Sequence, residues 1–336
     1  MIFLSKVLKV EYGHCIMVLK SVEDIFVFYE DYGDTLISKL KTKRDLAELL
    51  DDQWLLIASD LHVGRDMSAD EIANVFKMYH SAYDIGAVVL LGDILDIRTR
   101  IRTYHYNKDV SAYESRIIDN YQEQLHQFTT VMSAASDGGK PVAAVVGNHD
   151  LSTLISDYAS FMIAASYEHP RLKRLGFGSG GLSQYLTDAA YGTELIGRLG
   201  KHFIAFSHYN TLVRKNMQES HRDAAIRKKR ASVYNHVAFE LGLEDKLRIV
   251  GHYHPNAQPS VRTFASRNRR NFTVILPYFL WDNPNITMSL LKRTTDGNII
   301  IVESVYDQEA ETFFNSCVFD LRKSKQNAVD NDHTLD

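Results

Sequence analysis

Five groups of residues able to hold a divalent cation recur along this chain, each directly after a short apolar run. Trp54–Ala58 leads into Asp60 and His62, Ala87–Leu91 into Gly92, Asp93 and Asp96, and Val142–Val146 into Gly147, Asn148, His149 and Asp150. Phe203–Phe206 leads into His208, and Leu247–Val250 into Gly251, His252 and His254. Carboxylate, amide oxygen and imidazole together suit borderline ions such as manganese, iron, zinc or nickel. They suit neither a thiolate zinc site nor an all-oxygen calcium site. Asp60, His62, Asp93, Asn148, His208, His252 and His254 are too many ligands for one ion. Two ions sharing one carboxylate would use them all.

Taken singly, each residue has a duller reading. An Asp or Asn after a strand is usually a turn former or a helix cap, and a lone His is usually solvated or hydrogen-bonded. The coincidence of five such groups argues for the site. Short apolar runs read as buried strands, and open α/β sheets gather their ligands at strand carboxyl ends. Residues i and i+2 of an extended strand face one side, so Asp60 with His62, and His252 with His254, are expected to reach a common ion from the strand pleat. The glycines in the second, third and fifth groups suit a tight turn or close backbone approach. His208 stands alone, and wins over His202, His221 and His236 because it follows a strand-like run.

The elements that must position these groups are legible in outline. Residues 1–52 read as a small ββα extension: two Val/Ile/Phe/Tyr-rich strands, Ile2–Tyr12 and Cys15–Tyr29, then one helix over Thr35–Leu50 carrying Leu36, Leu40, Leu46 and Leu50. From residue 53 strand and helix alternate. Ser68 with Glu71 three residues on predicts a capped helix reaching Tyr83. A second helical stretch covers about 110–135 and ends at Asp137-Gly138-Gly139-Lys140-Pro141. After about 255, Phe272–Leu276, Thr287–Lys292 and Asn298–Val305 read as consecutive strands of a second sheet, with a hairpin at Asp296-Gly297. The domain is expected to run over 53–306. Residues 307–336 are expected to add one strand over Thr312–Leu321 and a polar, frayed tail.

The motifs Asp60-Leu-His62, Gly92-Asp93-Ile-Leu-Asp96, Gly147-Asn148-His149-Asp150, His208 and Gly251-His252-Tyr-His254 resemble, in order, the full set of the calcineurin-like metallophosphoesterases. The resemblance spans about residues 53–256 and implies a four-layer α/β/β/α sandwich of two packed mixed sheets flanked by helices. It implies two divalent cations, manganese first. Asp60, His62, Asp93 and His254 would hold one, and Asp93, Asn148, His208 and His252 the other, with Asp93 bridging. A water between the two cations would attack phosphorus. His149, oriented by Asp96, would protonate the leaving oxygen.

Two basic segments bear on the substrate. Ile97–Tyr121 interleaves Arg98, Arg100, Arg102 and Lys108 with Tyr104, Tyr106, Tyr113 and Tyr121, a mixture that suits a phosphate beside a base; Arg98, Arg102 and Tyr104 are the substrate-contact candidates. Arg214–Arg230 holds seven basic residues against Glu219 and Asp223. The duller reading of both is a solvated helix face or loop. Within the family, Asp-Leu-His-Val-Gly and Gly-Asp-Ile-Leu-Asp look closer to nucleases and small phosphodiesterases than to protein phosphatases. The latter carry Arg where this chain has Ile97. A phosphodiesterase is the leading expectation and an Mre11-type nuclease the alternative, although the region after the last motif is short for that family's DNA-capping domain. A protein phosphatase or a non-catalytic metal-bound scaffold ranks lower. The expected partner is a phosphoester, in the form of a nucleotide or nucleic acid.

Composition sets the remaining bounds. The chain has 336 residues, 45% hydrophobic and 24% charged, with a net charge of -4. That length builds one large domain with a small appendage, and the mild negative charge excludes a protein that coats nucleic acid by bulk charge. Two cysteines, Cys15 and Cys317, make no disulfide framework. No signal peptide or apolar run of membrane-spanning length is visible. A soluble cytoplasmic protein without membrane attachment is the expectation.

Overall fold

The computed structural model describes residues 8–12, 15–19, 33–63, 67–95, 123, 126–145, 147, 181–188, 194–208, 232–252, 260–266, 269–276, 279 and 285–332. The first described elements are two antiparallel strands, β1 (Leu8–Tyr12) and β2 (Cys15–Leu19), paired with Tyr12 opposite Cys15. Where one helix is expected there are two, α1 (33–42) and α2 (Leu46–Leu50). The break has a local cause. Asp45 is an N-cap whose side chain accepts from the Ala47 N–H, and the same Oδ1 accepts from the Gly200 N–H, tying the break to the body of the fold.

The alternating segment follows as β3 (Trp54–Ala58), α3 (Ala69–Ala82), β4 (Ile85–Leu91), α4 (described over 126–136) and β5 (Val142–Val145). Ser68 and Glu71 form the expected capping box: Ser68 Oγ accepts from the Glu71 N–H at 3.2 Å and Glu71 Oε2 accepts from the Ser68 N–H at 2.7 Å. Next come β6 (Leu186–Asp188), β7 (Glu194–Leu199), β8 (His202–Ser207), α5 (232–240), β9 (Asp245–Val250), β10 (Ser260–Ser266) and β11 (Arg269–Ile275). The chain ends on β12 (Asn285–Arg293), β13 (Ile299–Asp307), β14 (Thr312–Asp320) and α6 (Leu321–Asp332).

These strands form two mixed six-stranded sheets, ordered β14-β13-β12-β3-β4-β5 and β10-β11-β9-β8-β7-β6. The late strands do not build a second sheet of their own, as the sequence suggests. β12 lies antiparallel against β3 (Leu290 opposite Leu56), so β12–β14 extend the first sheet, and only β10 and β11 join the second. The predicted hairpin does join β12 to β13, with Arg293 opposite Ile299 and Gly297 in the left-handed region at its turn.

Alternation along the strands explains why the sheets stack in four layers. On β3 and β4, Leu55, Ile57, Val89 and Leu91 face Ile204, Phe206, Leu247 and Ile249 of the other sheet across one core. Leu56, Ala58, Val88 and Leu90 face the opposite way, onto Ile72, Val75, Phe76 and Tyr79 of α3 and Phe128, Val131 and Met132 of α4. The second sheet sends Phe203 and Ala205 of β8 outward onto Leu36 and Leu40 of α1 and Val233 and Val237 of α5. The order is therefore helices, sheet, sheet, helices, with β4 buried along its whole length because both of its faces are covered. Residues 33–50 supply side chains to two of the three cores.

The expected polar tail is α6 as far as Asp332. Asp320 Oδ1 accepts from the Lys323 N–H, Asn298 Oδ1 from the Arg322 N–H, and Arg322 pairs with Asp296 at 2.6 Å. Cys317 on β14 is exposed and free of any disulfide. No helix among the described residues is long and apolar enough to cross a membrane.

Candidate metal centre

The parallel strands β3, β4 and β5 of one sheet and β8 and β9 of the other end at the same place, where β3, β4, β8 and β9 bring Asp60 and His62, Asp93, His208 and His252 together, and Gly147 after β5 packs against Asp93. The turns after them interlock. The Asp60 N–H donates to Gly92 O, His62 N–H to Asp93 O and Gly251 N–H to Ser207 O, at 3.1, 2.9 and 3.3 Å. The glycines permit this approach. A Cβ on Gly251 would overlap Ser59 Oγ, and one on Gly147 would overlap the Asp93 backbone nitrogen.

Asp60, His62, Asp93 and His208 are buried and His252 is half-buried. Their potential ligand atoms form two groups, each within 4.8 Å: Asp60, His62 and Asp93, and Asp93, His208 and His252. Asp93 belongs to both. Asn148, His149, Asp96, His254, Arg98, Arg102 and Tyr104, named from the sequence, lie outside the described residues, as does the basic run 214–230.

How Asp60 and His62 come together differs from expectation. They do not use the two-residue pleat of an extended strand. Asp60, His62, Asp93 and His252 all have positive φ, at 56°, 44°, 49° and 68°, so the chain leaves each strand through a left-handed residue. Non-glycine residues pay for this conformation, and four of the eight that adopt it among the described residues sit in this one cluster.

Hydrogen bonds orient the donors. Ser59 Oγ and the His252 N–H both donate to Asp60 Oδ2, at 2.5 and 3.0 Å, leaving Oδ1 3.9 Å from His62 Nε2. Leu91 O lies 2.6 Å from His208 Nδ1, which makes Nδ1 the donor and turns Nε2 toward Asp93 Oδ2 at 3.1 Å. The His208 and His252 rings meet edge to face, 5.0 Å between centroids. Burial by itself would lower the His208 pKa. The hydrogen bond to Asp93 and the charges on Asp60 and Asp93 outweigh it and raise the value to about 9. Two carboxylates this deeply buried demand positive charge beside them.

The same demand is what a divalent cation would meet, and mixed carboxylate and imidazole donors suit borderline ions, so the residues present fit a two-cation centre. Sequence reasoning missed Ser59 and the Leu91 carbonyl, which fix the donors. A serine before an aspartate and a backbone oxygen 117 positions from its histidine leave no local signal.

A family model for the calcineurin-like phosphoesterases matches residues 54–276. No curated protein sequence matches the chain. Solved structures that align with it include a protein serine/threonine phosphatase from Saccharomyces cerevisiae with similarity to human phosphatase PP5. That alignment has 8% identity, covers 84% of this chain and 89% of that one, and has a TM-score of 0.34.

Proposed function

The chain belongs to the calcineurin-like phosphoesterases, metal-dependent hydrolases of phosphoester bonds, and on that premise we propose that it cleaves phosphodiesters of nucleotides or nucleic acid. The observation that carries the reading is the pair of ligand groups sharing Asp93 at the meeting point of five strand ends. Asp60, His62 and Asp93, with His254, would hold one cation; Asp93, His208 and His252, with Asn148, would hold the other. Manganese is the first choice, with iron, zinc or nickel suited to the same donors. Bound there, the cations polarise a phosphoryl oxygen and lower the pKa of a water.

The chain's own residues do the rest. Leu91 O and Ser59 Oγ aim His208 and Asp60, and the left-handed turns hold the donors convergent; His149, with Asp96 to orient it, would donate the proton that the leaving oxygen requires. Arg98, Arg102 and Tyr104 would bear on a phosphate and its neighbouring base.

A panel on the manganese-loaded protein tests this: p-nitrophenyl phosphate, bis-p-nitrophenyl phosphate, cyclic nucleotides, and single- and double-stranded DNA and RNA. Hydrolysis of diesters is expected, and turnover confined to the monoester overturns it. The run Arg214–Arg230 favours an Mre11-type nuclease as the second reading. Cleavage that weakens steeply with salt would select the nuclease, because phosphate-backbone contacts release counterions; a small substrate would show little salt effect.

A further inference from the structure

The opposite end of the sandwich holds a polar cavity of about 410 Å³. His202 begins β8 and His208 follows its end, so at about 3.3 Å per residue the cavity lies roughly 20 Å from the metal centre. Its walls come from four places: the β7–β8 turn with Lys201 and His202, the turn before β9 with Glu244, the β12–β13 hairpin with Arg293, and the start of α6 with Arg322 and Lys325. Asp296 and Glu244 are the acidic side chains lining it.

Four of these side chains are cations, and three already have partners. Lys201 lies 3.5 Å from Glu244, Arg322 2.6 Å from Asp296 and Lys325 2.5 Å from Asp245. The first two pairs are more than half exposed on the basic side and at least half exposed on the acidic side. Such pairs are worth little and can re-aim toward a better ligand.

Arg293 differs. It is half-buried at the end of β12, and the described residues give its guanidinium neither a hydrogen bond nor an ion pair. It rests on Gly200, where an added Cβ would come within 2.8 Å of Nε, so the turn is shaped to receive the side chain. A guanidinium fork without an acceptor, ringed by three further cations in a cavity of ligand size, suits an oxyanion.

We propose that this cavity is a binding site for a small anion of two or more charges, of the phosphate or carboxylate type, anchored on Arg293 and separate from the hydrolytic centre. The site goes beyond the proposed hydrolysis and does not depend on it.

Calorimetric titration of the full-length, EDTA-treated protein with inorganic pyrophosphate, and separately with citrate, tests the proposal. Chelation removes the catalytic cations that would otherwise hold pyrophosphate. One anion per chain is expected from at least one titrant, and the two arms identify which oxyanion the site takes. Arg293→Gln should weaken binding about tenfold or more, as loss of a charge-assisted hydrogen bond does. Arg322→Gln, on the exposed start of α6, should weaken it severalfold and stands in if Arg293→Gln misfolds. Lys140→Gln, outside the cavity, should leave it unchanged. Absence of saturable binding by both anions overturns the site, as does unaltered affinity in folded Arg293→Gln and Arg322→Gln.

Discussion

Asp93 is the residue on which the proposed chemistry turns, because both ligand groups need it. Asp93→Asn is expected to lose bound metal first, seen as a fall in manganese per chain by elemental analysis, with activity falling alongside. His149→Ala is expected to do the reverse, keeping its metal and losing about 10²–10⁴ in rate through the missing proton donor. Equal metal content and full activity in either variant would remove that residue from its role. Gly251 makes a different point, about space. A Cβ there overlaps Ser59 Oγ and reaches within 3.2 Å of Asp60 Oδ2. Gly251→Ala should therefore cost about 1–3 kcal/mol in urea unfolding by overpacking. It should also weaken manganese binding, since it displaces the hydroxyl that aims Asp60. Stability and affinity both at wild-type values would contradict the close packing of these turns.

At the level of elements, α3 and α4 are tied at the end of the sheet away from the ligands. His80 of α3 places Nε2 2.9 Å from the Ala135 carbonyl of α4, and Lys140 Nζ lies 3.2 Å from its Nδ1. The carbonyl needs a donor and the ammonium an acceptor, which is the neutral imidazole protonated at Nε2. Burial lowers the His80 pKa, and the Lys140 charge adds to this against the opposing Ala135 carbonyl and Asp137. The unfolded chain therefore binds the proton more readily than the fold does. His80 contributes its stability above the unfolded value of about 6.5, and that contribution is lost as pH falls through the lower folded value. Between pH 7.5 and 5.5 the wild-type melting temperature should drop further than that of His80→Gln; parallel profiles would show that the imidazole stays neutral for no structural gain.

Across the whole molecule, the second sheet carries a buried charge that no surface pattern announces. Arg248 of β9 pairs with Glu194 of β7 at 2.8 Å, Tyr234 of α5 donates to the other Glu194 oxygen, and the guanidinium lies 5.4 Å from the Tyr234 ring. All three are buried. They clasp β7, β9 and α5 just beneath the strand ends that carry His208 and His252. Arg248→Met should cost about 3–5 kcal/mol, because it strands a buried carboxylate. Adding Glu194→Leu should recover much of that loss, since a buried pair replaced by apolar groups is often neutral. A single variant as stable as wild type would show that water reaches Glu194.

The candidate ligands that the described residues bring together (Asp60, His62, Asp93, His208 and His252), the strands that carry them and the capping box of α3 are legible in the amino-acid sequence by itself, because each rests on near neighbours: an apolar run, a side chain shortly beyond it, a serine three residues before a glutamate. What the tertiary structure alone decides depends on partners far along the chain. β12 pairs with β3 across more than 230 positions and so extends the first sheet, Asp45 meets Gly200 and breaks the first helical segment, and the β12–β13 hairpin holds α6 where a loose tail is expected. The convergence of Asp60 with His62 belongs to this second kind. It comes from left-handed turns held by the neighbouring loop after β4, and a backbone conformation imposed from outside leaves no period in the residues that adopt it.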